Sequence, residues 1–250
     1  MPPRKKAPEQ HSQPGKARQG GTPTGGPPFV VRQEKSYTLL LFDTESQLNA
    51  ALCRPAAFYE HFQLMGQYTS RADWPNACRP PPRYCGFNAP LADLIEWARC
   101  ARQDLAPEEA QVLDALLHPA PFVPDSAPEH LHEWTPPRQP RPGIRSYVIA
   151  LVAGDRVALA HELRHVVFFL DPEYRELSER AWRELTPEER AAVEVDFLNR
   201  RYHPRHHIDE FQAYIATEPF TFPAKGRNFP PAKMRTLQLL LTQRDVSALF

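Results

Sequence analysis

The sequence predicts a mainly helical α+β fold with one small sheet. Two short runs of apolar and β-branched residues, 36–42 and 145–152, have the length and composition of buried strands. Longer segments with apolar residues at helical spacing make up much of the remaining chain, and several begin with a capping residue. One such helix directly follows the second strand, so the small sheet is expected to lie beside it.

In the first half of the chain, the strand at 36–42 is closed by Asp43 and is followed by four helical segments. Pro55 is expected to divide the first two, because proline lacks the backbone N–H that a helix interior requires. The stretch 69–88 shows little periodicity and is predicted to be a loop. The helical segments are expected at 44–54, 56–64, 91–103 and 107–117.

In the second half, capping residues mark the start of three predicted helices. Asp155 and Asp171 each precede a helix, and an aspartate side chain accepts hydrogen bonds from the free N–H groups of a first turn. Thr186 and Glu189 have the spacing of a capping box. The helices of this half are predicted at 156–170, 172–184, 187–201, 208–217 and 233–250.

The composition divides the chain into a tail and one folded domain. Residues 1–32 are rich in Pro, Gly, Gln and Lys with almost no apolar residue before Phe29, which predicts a disordered basic tail. Residues 33–250 are long enough for a single domain. Its N-terminal part, 33–143, ends in a proline-rich connection that begins at His118, and its second part, 144–250, holds the residues with the strongest chemical signature.

The charge of the whole chain favours no class of partner, because 30 basic residues balance 30 acidic ones. The tail differs, since it is strongly basic. Such an arm can contact nucleic acid or a protein partner, although a solvated tail without a partner is the simpler interpretation. No secretory signal and no membrane-spanning apolar run is visible, so an intracellular location, cytoplasmic or nuclear, is expected.

The most informative stretch is His161-Glu162-Leu163-Arg164-His165, an H-E-x-x-H motif inside the helix predicted at 156–170. Residues four apart share one face of a helix, so both imidazoles can bind one ion. Glu162 adjoins the first histidine and can act as a general base toward a water molecule. Two nitrogen ligands, an activated water and a base are the minimal equipment of a zinc hydrolase.

The helix around the motif is apolar on nearly every side, which is typical of a buried helix. Burial of two histidines, a glutamate and an arginine requires partners for their polar groups. A metal ion would be such a partner for the histidines. The alternative is that both histidines only hydrogen-bond to neighbouring carbonyl groups.

A catalytic zinc site typically has a third protein ligand besides two histidines. Asp171 lies six residues after His165, and Glu210 lies 45 residues after it. Glu210 belongs to the helix predicted at 208–217. Ala213, three residues further on, is small enough to allow two helices to pack closely.

The motif together with Glu210 and Ala213 resembles the gluzincin branch of the zincin-type metallopeptidases, over roughly residues 147–218. In that branch the third zinc ligand is a glutamate on a helix downstream of H-E-x-x-H, often with a small residue three positions later. The resemblance implies Zn²⁺ bound by the two histidines of the motif and Glu210, with Glu162 as the catalytic base.

Two positions depart from zincin patterns. Asp171 has the spacing of the third ligand in metzincins, but Phe168 stands where those proteins have a glycine that turns the backbone. Asp171 followed by Pro172 is better explained as a helix cap. Tyr214 stands where several gluzincins have an acid that orients a histidine. It is expected either to hydrogen-bond at the site and assist catalysis, or to be an ordinary buried aromatic residue.

Three further histidines, His203, His206 and His207, precede the helix that carries Glu210. They could bind zinc or the developing oxyanion of a substrate. A solvated loop that they form with neighbouring arginines is the interpretation we favour.

The predicted function is a zinc-dependent metallopeptidase that acts on a peptide or protein. The strand at 147–152 is expected to be an edge strand that pairs with the extended substrate. Two alternatives are a zinc hydrolase with another substrate, and a non-catalytic interaction protein that works through its tail and proline-rich segment. The predicted metal ligands are His161, His165 and Glu210, and the predicted catalytic residues are Glu162 and Tyr214.

Overall fold

The fold is a mainly helical α+β arrangement around a four-stranded mixed sheet, as predicted. The computed structural model describes residues 27–77, 82–117, 145–218 and 231–243. The strands are β1 (Phe29–Gln33), β2 (Thr38–Phe42), β3 (Gly86–Pro90) and β4 (Tyr147–Val152). The helices are α1 (Glu45–Glu60), α2 (Trp74–Ala77), α3 (Leu91–Ala101), α4 (Pro107–Leu117), α5 (Arg156–Leu170), α6 (Pro172–Arg183), α7 (Pro187–Asn199), α8 (His207–Thr217) and α9 (Pro231–Thr242).

The strands follow the order β1-β2-β4-β3. β2 and β4 are parallel, and the two outer pairs are antiparallel. The expectation that Tyr147–Val152 is an edge strand is therefore wrong, because β4 is hydrogen-bonded to β2 on one side and to β3 on the other. Among the described strands, the one at the edge on this side of the sheet is β3.

Alternating side chains give the two central strands an apolar surface on both faces. Leu40 and Val148 point to one face, where they pack with α1, α3 and α4. Leu39 and Ile149 point to the opposite face, where Val166 of α5 covers them. A further apolar cluster joins α5 to α6, α7, α8 and α9. Helix α5 thus lies between the sheet and the C-terminal helices.

Local sequence signals place the helices of the second half accurately. Asp155 accepts hydrogen bonds from the N–H groups of Val157 and Ala158, so α5 begins where it is predicted to begin. Asp171 caps α6 in the same way, and Thr186 forms the predicted capping box at the start of α7. These caps satisfy N–H groups that a first turn leaves without intrahelical partners.

Pro55 does not interrupt α1, contrary to expectation, since the helix continues from Glu45 to Glu60. A proline inside a helix costs about 3 kcal/mol or more. Its neighbours Leu52 and Ala56 are almost fully buried against the sheet. The burial of this helical face outweighs the lost hydrogen bond.

Two strands lie where the sequence predicts other structure. β1 begins inside the stretch 1–32 that is predicted to be a tail, and β3 begins inside the predicted loop 69–88 and ends two residues beyond it. β3 contains Gly86, Asn88 and Pro90, which have low strand propensity. Its pairing with β4 supplies the stabilisation that its own sequence lacks.

Helix α5 is not buried on every side, contrary to expectation. Val157 on one side is 63% exposed, whereas His161, Glu162 and His165 are buried.

Helix α7 ends two residues earlier than predicted. Arg201 adopts a left-handed conformation with φ 73°, and the Tyr202 N–H donates to the Phe197 carbonyl at 2.9 Å. This is the pattern of a Schellman cap, which stops the helix.

The proline-rich connection, residues 1–26 of the tail and the last seven residues of the predicted C-terminal helix lie outside the described residues. None of the described helices is both long and apolar enough to cross a membrane.

A buried ion pair fastens α1 to α4. The guanidinium of Arg54, 5% exposed, donates two hydrogen bonds of 2.7 Å to the Glu109 carboxylate, which is 3% exposed. Arg54 also contacts Asp104 at 3.0 Å. A pair of this kind is costly to break, because the remaining charge stays buried without a counter-ion.

We predict that Arg54→Met lowers the free energy of unfolding by about 3–5 kcal/mol, since it leaves the Glu109 carboxylate unpaired. Denaturant titration followed by circular dichroism measures this change. Arg99→Met is the matched control, because Arg99 is 55% exposed in its pair with Glu96, and it should cost about 1 kcal/mol or less. Equal effects of the two substitutions would show that the buried pair has no special role.

Candidate metal centre

The two histidines of the motif lie one helical turn apart on the same face of α5. His161 is 8% exposed and His165 is 1% exposed, and their ring centroids are 5.0 Å apart. The spacing of four residues places both rings over one spot on the helix surface. The sequence prediction that they converge is confirmed.

Helix α8 packs directly against α5 and brings Glu210 to the histidines. Glu210 is 3% exposed, and its carboxylate oxygens lie 3.6 Å from His161 Nε2 and 3.7 Å from His165 Nε2. One ligand atom from each of the three residues lies within 4.8 Å of the others. Ala213, one turn along α8, is fully buried, as expected of a small residue at a close helix contact.

Asp209 fixes the orientation of His165. The Nδ1 of His165 donates to Asp209 Oδ1 at 2.8 Å, which leaves Nε2 directed at Glu210. Burial alone would lower the pKa of His165, but the carboxylates of Asp209 and Glu210 raise it to about 10. The two carboxylates therefore favour positive charge at this imidazole, either a proton or a metal ion. Histidines that bind a metal commonly donate their other ring N–H to a carboxylate in this way.

Three polar atoms of this cluster are buried without a hydrogen-bond partner among the described residues: His161 Nδ1, His165 Nε2 and Glu210 Oε2. A buried polar atom without a partner costs about 1–3 kcal/mol. Two imidazoles and a carboxylate are also the donor set of several catalytic zinc sites. The burial, the lack of partners and the chemistry of the donors therefore fit a divalent metal ion.

Glu162 lies beside the cluster, on the side that faces β3. Its Oε2 accepts a hydrogen bond of 2.9 Å from Asn88, whose own oxygen accepts one of 2.6 Å from the Tyr147 hydroxyl. A Cβ atom at Gly86 would overlap Glu162 Oε1, so any larger residue here would force the Glu162 carboxylate out of its present position. Burial raises the pKa of Glu162, and the charges of His165 and His161 oppose this rise.

Tyr214 also lies at the cluster, one helical turn after Glu210. Its ring centroid is 4.6 Å from that of His161, and its hydroxyl is 3.4 Å from the Tyr202 hydroxyl. The Arg200 guanidinium lies 4.6 Å from the Tyr214 ring centroid. Tyr214 therefore lies beside a candidate ligand and lines the same cleft, rather than packing in a distant core.

The remaining candidates have structural partners elsewhere. Asp171 caps α6. His206 and His207 hydrogen-bond through Nε2 to the carbonyl groups of Tyr59 and Tyr202, and His203 caps a short 3₁₀ turn before α8. The expectation that these histidines form a solvated loop is wrong for His207, which is only 4% exposed.

The cluster opens onto a cleft of about 790 Å³. Its walls include the end of α1, strand β3, helix α5 and helix α8. Glu162, the two histidines and Glu210 line it, and residues 86–88 of β3 line it beside Glu162. A substrate in the cleft would contact the candidate ligands and an edge strand at the same time.

Comparison of the chain with protein-family models, with curated proteins and with solved structures gave no match. The function is therefore inferred from the geometry of the site itself.

Sequence reasoning missed three polar residues of the site: Asp209, Asn88 and Glu60. Asp209 had a weak signal, since it adjoins Glu210 in the chain. Asn88 and Glu60 lie more than 70 residues before the motif, and only the folded chain brings them to it.

We predict that Glu210→Ala weakens zinc binding by more than about 100-fold, which exceeds the loss usual for a residue that only supports a ligand. Asp171→Asn should leave zinc affinity unchanged and cost about 1 kcal/mol of stability or less, because asparagine also caps helices. Competition with a chromophoric chelator measures the affinities, and circular dichroism checks the fold. If Asp171→Asn weakened zinc binding more than Glu210→Ala, Asp171 and not Glu210 would be the third ligand.

Proposed function

We propose that this protein is a zinc-dependent metallopeptidase. The observation that carries the proposal is the meeting of His161, His165 and Glu210 beside Glu162 in one open cleft. All three are buried, and each has one polar atom without a hydrogen-bond partner among the described residues. The same residues carry the resemblance of the sequence to the gluzincins.

Zinc is the metal that this donor set favours, because two imidazoles and one carboxylate are ligands of catalytic zinc sites that keep a position open for water or substrate. When bound, zinc would lower the pKa of a water molecule and polarise a carbonyl group. Asp209 supports this chemistry by holding the Nε2 of His165 toward Glu210.

Glu162 is the proposed general base. It accepts the proton of the attacking water and returns a proton to the leaving amine. Asn88 holds one carboxylate oxygen, so the side chain has a defined position. Burial raises the pKa of Glu162, which makes the carboxylate a better proton acceptor than an exposed glutamate.

Strand β3 supports a peptide as the substrate. One of its edges pairs with β4, and no described strand pairs with the other. Residues 86–88 of β3 line the cleft beside Glu162. An extended peptide that adds to this edge would form backbone hydrogen bonds and pass the proposed base, which is a recurrent mode of peptide recognition.

Tyr214 is the proposed electrophile. Burial raises the pKa of its hydroxyl, and the Glu210 carboxylate raises this pKa further by a smaller amount. The hydroxyl therefore stays protonated and can donate a hydrogen bond. Its place beside His161 suits donation to the oxygen that gains charge during attack on a carbonyl.

We predict that Glu162→Gln lowers kcat/KM for peptide hydrolysis by about 100- to 10 000-fold, because it removes the general base. Zinc content and the unfolding midpoint should stay near those of the unaltered protein, since glutamine can still accept the bond from Asn88. The assay uses a set of internally quenched fluorogenic peptides with the zinc-loaded protein.

Glu179→Gln is the matched control for this substitution, because Glu179 is 42% exposed on α6 and lies outside the cleft. It should retain full activity. Full activity of Glu162→Gln, or loss of its zinc, would refute the proposed role. No hydrolysis of any peptide by the zinc-loaded unaltered protein would count against a peptidase.

A further inference from the structure

A buried carboxyl group without a partner lies in the same cleft. Glu60, the last residue of α1, is 8% exposed and lines the cleft with His165, Glu210 and Tyr202. Among the described residues, no hydrogen bond or ion pair reaches its carboxyl group. The side chain is thus mostly buried and its carboxyl group opens onto the cleft, where a bound ligand can reach it.

The backbone holds Glu60 firmly at this place. Its carbonyl accepts a hydrogen bond of 2.7 Å from the His203 N–H, and the Phe62 N–H donates to the Arg201 carbonyl at 2.8 Å. These bonds join the end of α1 to the segment between α7 and α8, just before Glu210. Arg201, which adopts the left-handed conformation, lies in this segment. Two backbone hydrogen bonds therefore hold the residue that carries this carboxyl group next to the segment that leads to Glu210.

The surroundings of Glu60 are negative. Burial raises the pKa of its carboxyl group well above the usual value, and the carboxylates of Glu210 and Glu162 raise it further, while the charge of His165 opposes the rise.

No nearby arginine fills that role in the described structure. The Arg200 guanidinium, which also lines the cleft, donates to Asp196 at 2.9 Å and lies over the Tyr214 ring. Elsewhere the same chain buries a glutamate with a cation of its own, since Glu109 has Arg54. Glu60 differs from Glu109 in that no arginine or lysine forms an ion pair with it among the described residues.

The other carboxyl groups at the site have partners of their own. Asp209 accepts a hydrogen bond from His165, Glu162 accepts one from Asn88, and Glu210 faces both histidines. Glu60 has no such partner among the described residues, so a positively charged substrate group would complement it.

We propose that Glu60 binds a cationic group of the substrate, a protonated amine or a guanidinium, next to the bond that is cleaved. The inference rests on the proposed function and deepens it, because it names the class of substrate. The positive group is either the α-amine of a free N-terminus or the side chain of a lysine or arginine.

Three hydroxamates test the proposal with the zinc-loaded protein by isothermal titration calorimetry. Hydroxamates bind zinc and need no turnover. Leucine hydroxamate carries a free α-amine, Nα-acetyl-lysine hydroxamate carries only a side-chain amine, and N-acetyl-leucine hydroxamate is uncharged. At least one cationic compound should bind about tenfold or more tightly than the uncharged one, since hydrogen bonds between charged groups contribute that much.

Glu60→Gln should remove this preference while it leaves binding of N-acetyl-leucine hydroxamate and the zinc content unchanged. Glu60→Asp, which keeps the charge at a shorter reach, should retain part of the preference and serves as the second variant. Glu179→Gln should behave like the unaltered protein. The compound that loses affinity in Glu60→Gln shows whether the α-amine or the side chain is bound.

Equal binding of all three hydroxamates, or a preference that persists in Glu60→Gln, would overturn the role of Glu60 and leave the metal site intact. Zinc-loaded protein that binds none of the three would overturn the metallopeptidase proposal and this inference together. A stoichiometry of two zinc ions per chain that falls to one in Glu60→Gln would assign Glu60 to a second metal instead of a substrate cation.

Discussion

Two histidines and a glutamate buried against one another are the constraint on which the site depends. Helix α5 supplies His161 and His165, and α8 supplies Glu210, with oxygen to nitrogen distances of 3.6 and 3.7 Å. An apolar pair of helices would pack at this place without any polar cost. Each of the three side chains instead has a buried polar atom without a hydrogen-bond partner among the described residues, and a bound cation would resolve this.

The other elements of the fold serve this contact. The sheet and the C-terminal helices pack on opposite sides of α5, so the helix cannot shift easily relative to α8. β3 runs along the cleft and supplies Asn88, which holds Glu162. The end of α1 supplies Glu60 through backbone bonds to the segment before α8. The cleft therefore combines residues from both halves of the chain.

The sequence predicts those parts of the site that depend on local structure. The bounds of α5 follow from Asp155 and Asp171, and the spacing of four residues is sufficient to bring the two histidines together. These two inferences need only one helix and its caps. Glu210 follows instead from the resemblance to gluzincins, together with its own predicted helical segment.

Long-range contacts explain what the sequence does not predict. β3 has a weak strand pattern and forms because β4 pairs with it, while α1 continues through Pro55 because its neighbours are buried. Glu60 has no local pattern that sets it apart from a surface glutamate. Asp209 orients His165 only because α8 packs against α5 and brings the two side chains within 2.8 Å.

Metal content is the most direct test of the central claim that this cluster binds zinc. Inductively coupled plasma mass spectrometry of protein purified without added metal gives the number of zinc ions per chain. The arrangement of His161, His165 and Glu210 predicts about one zinc per chain, removable by a chelator and restored by added zinc. Folded protein that contains no zinc and takes up none when zinc is added would contradict the account.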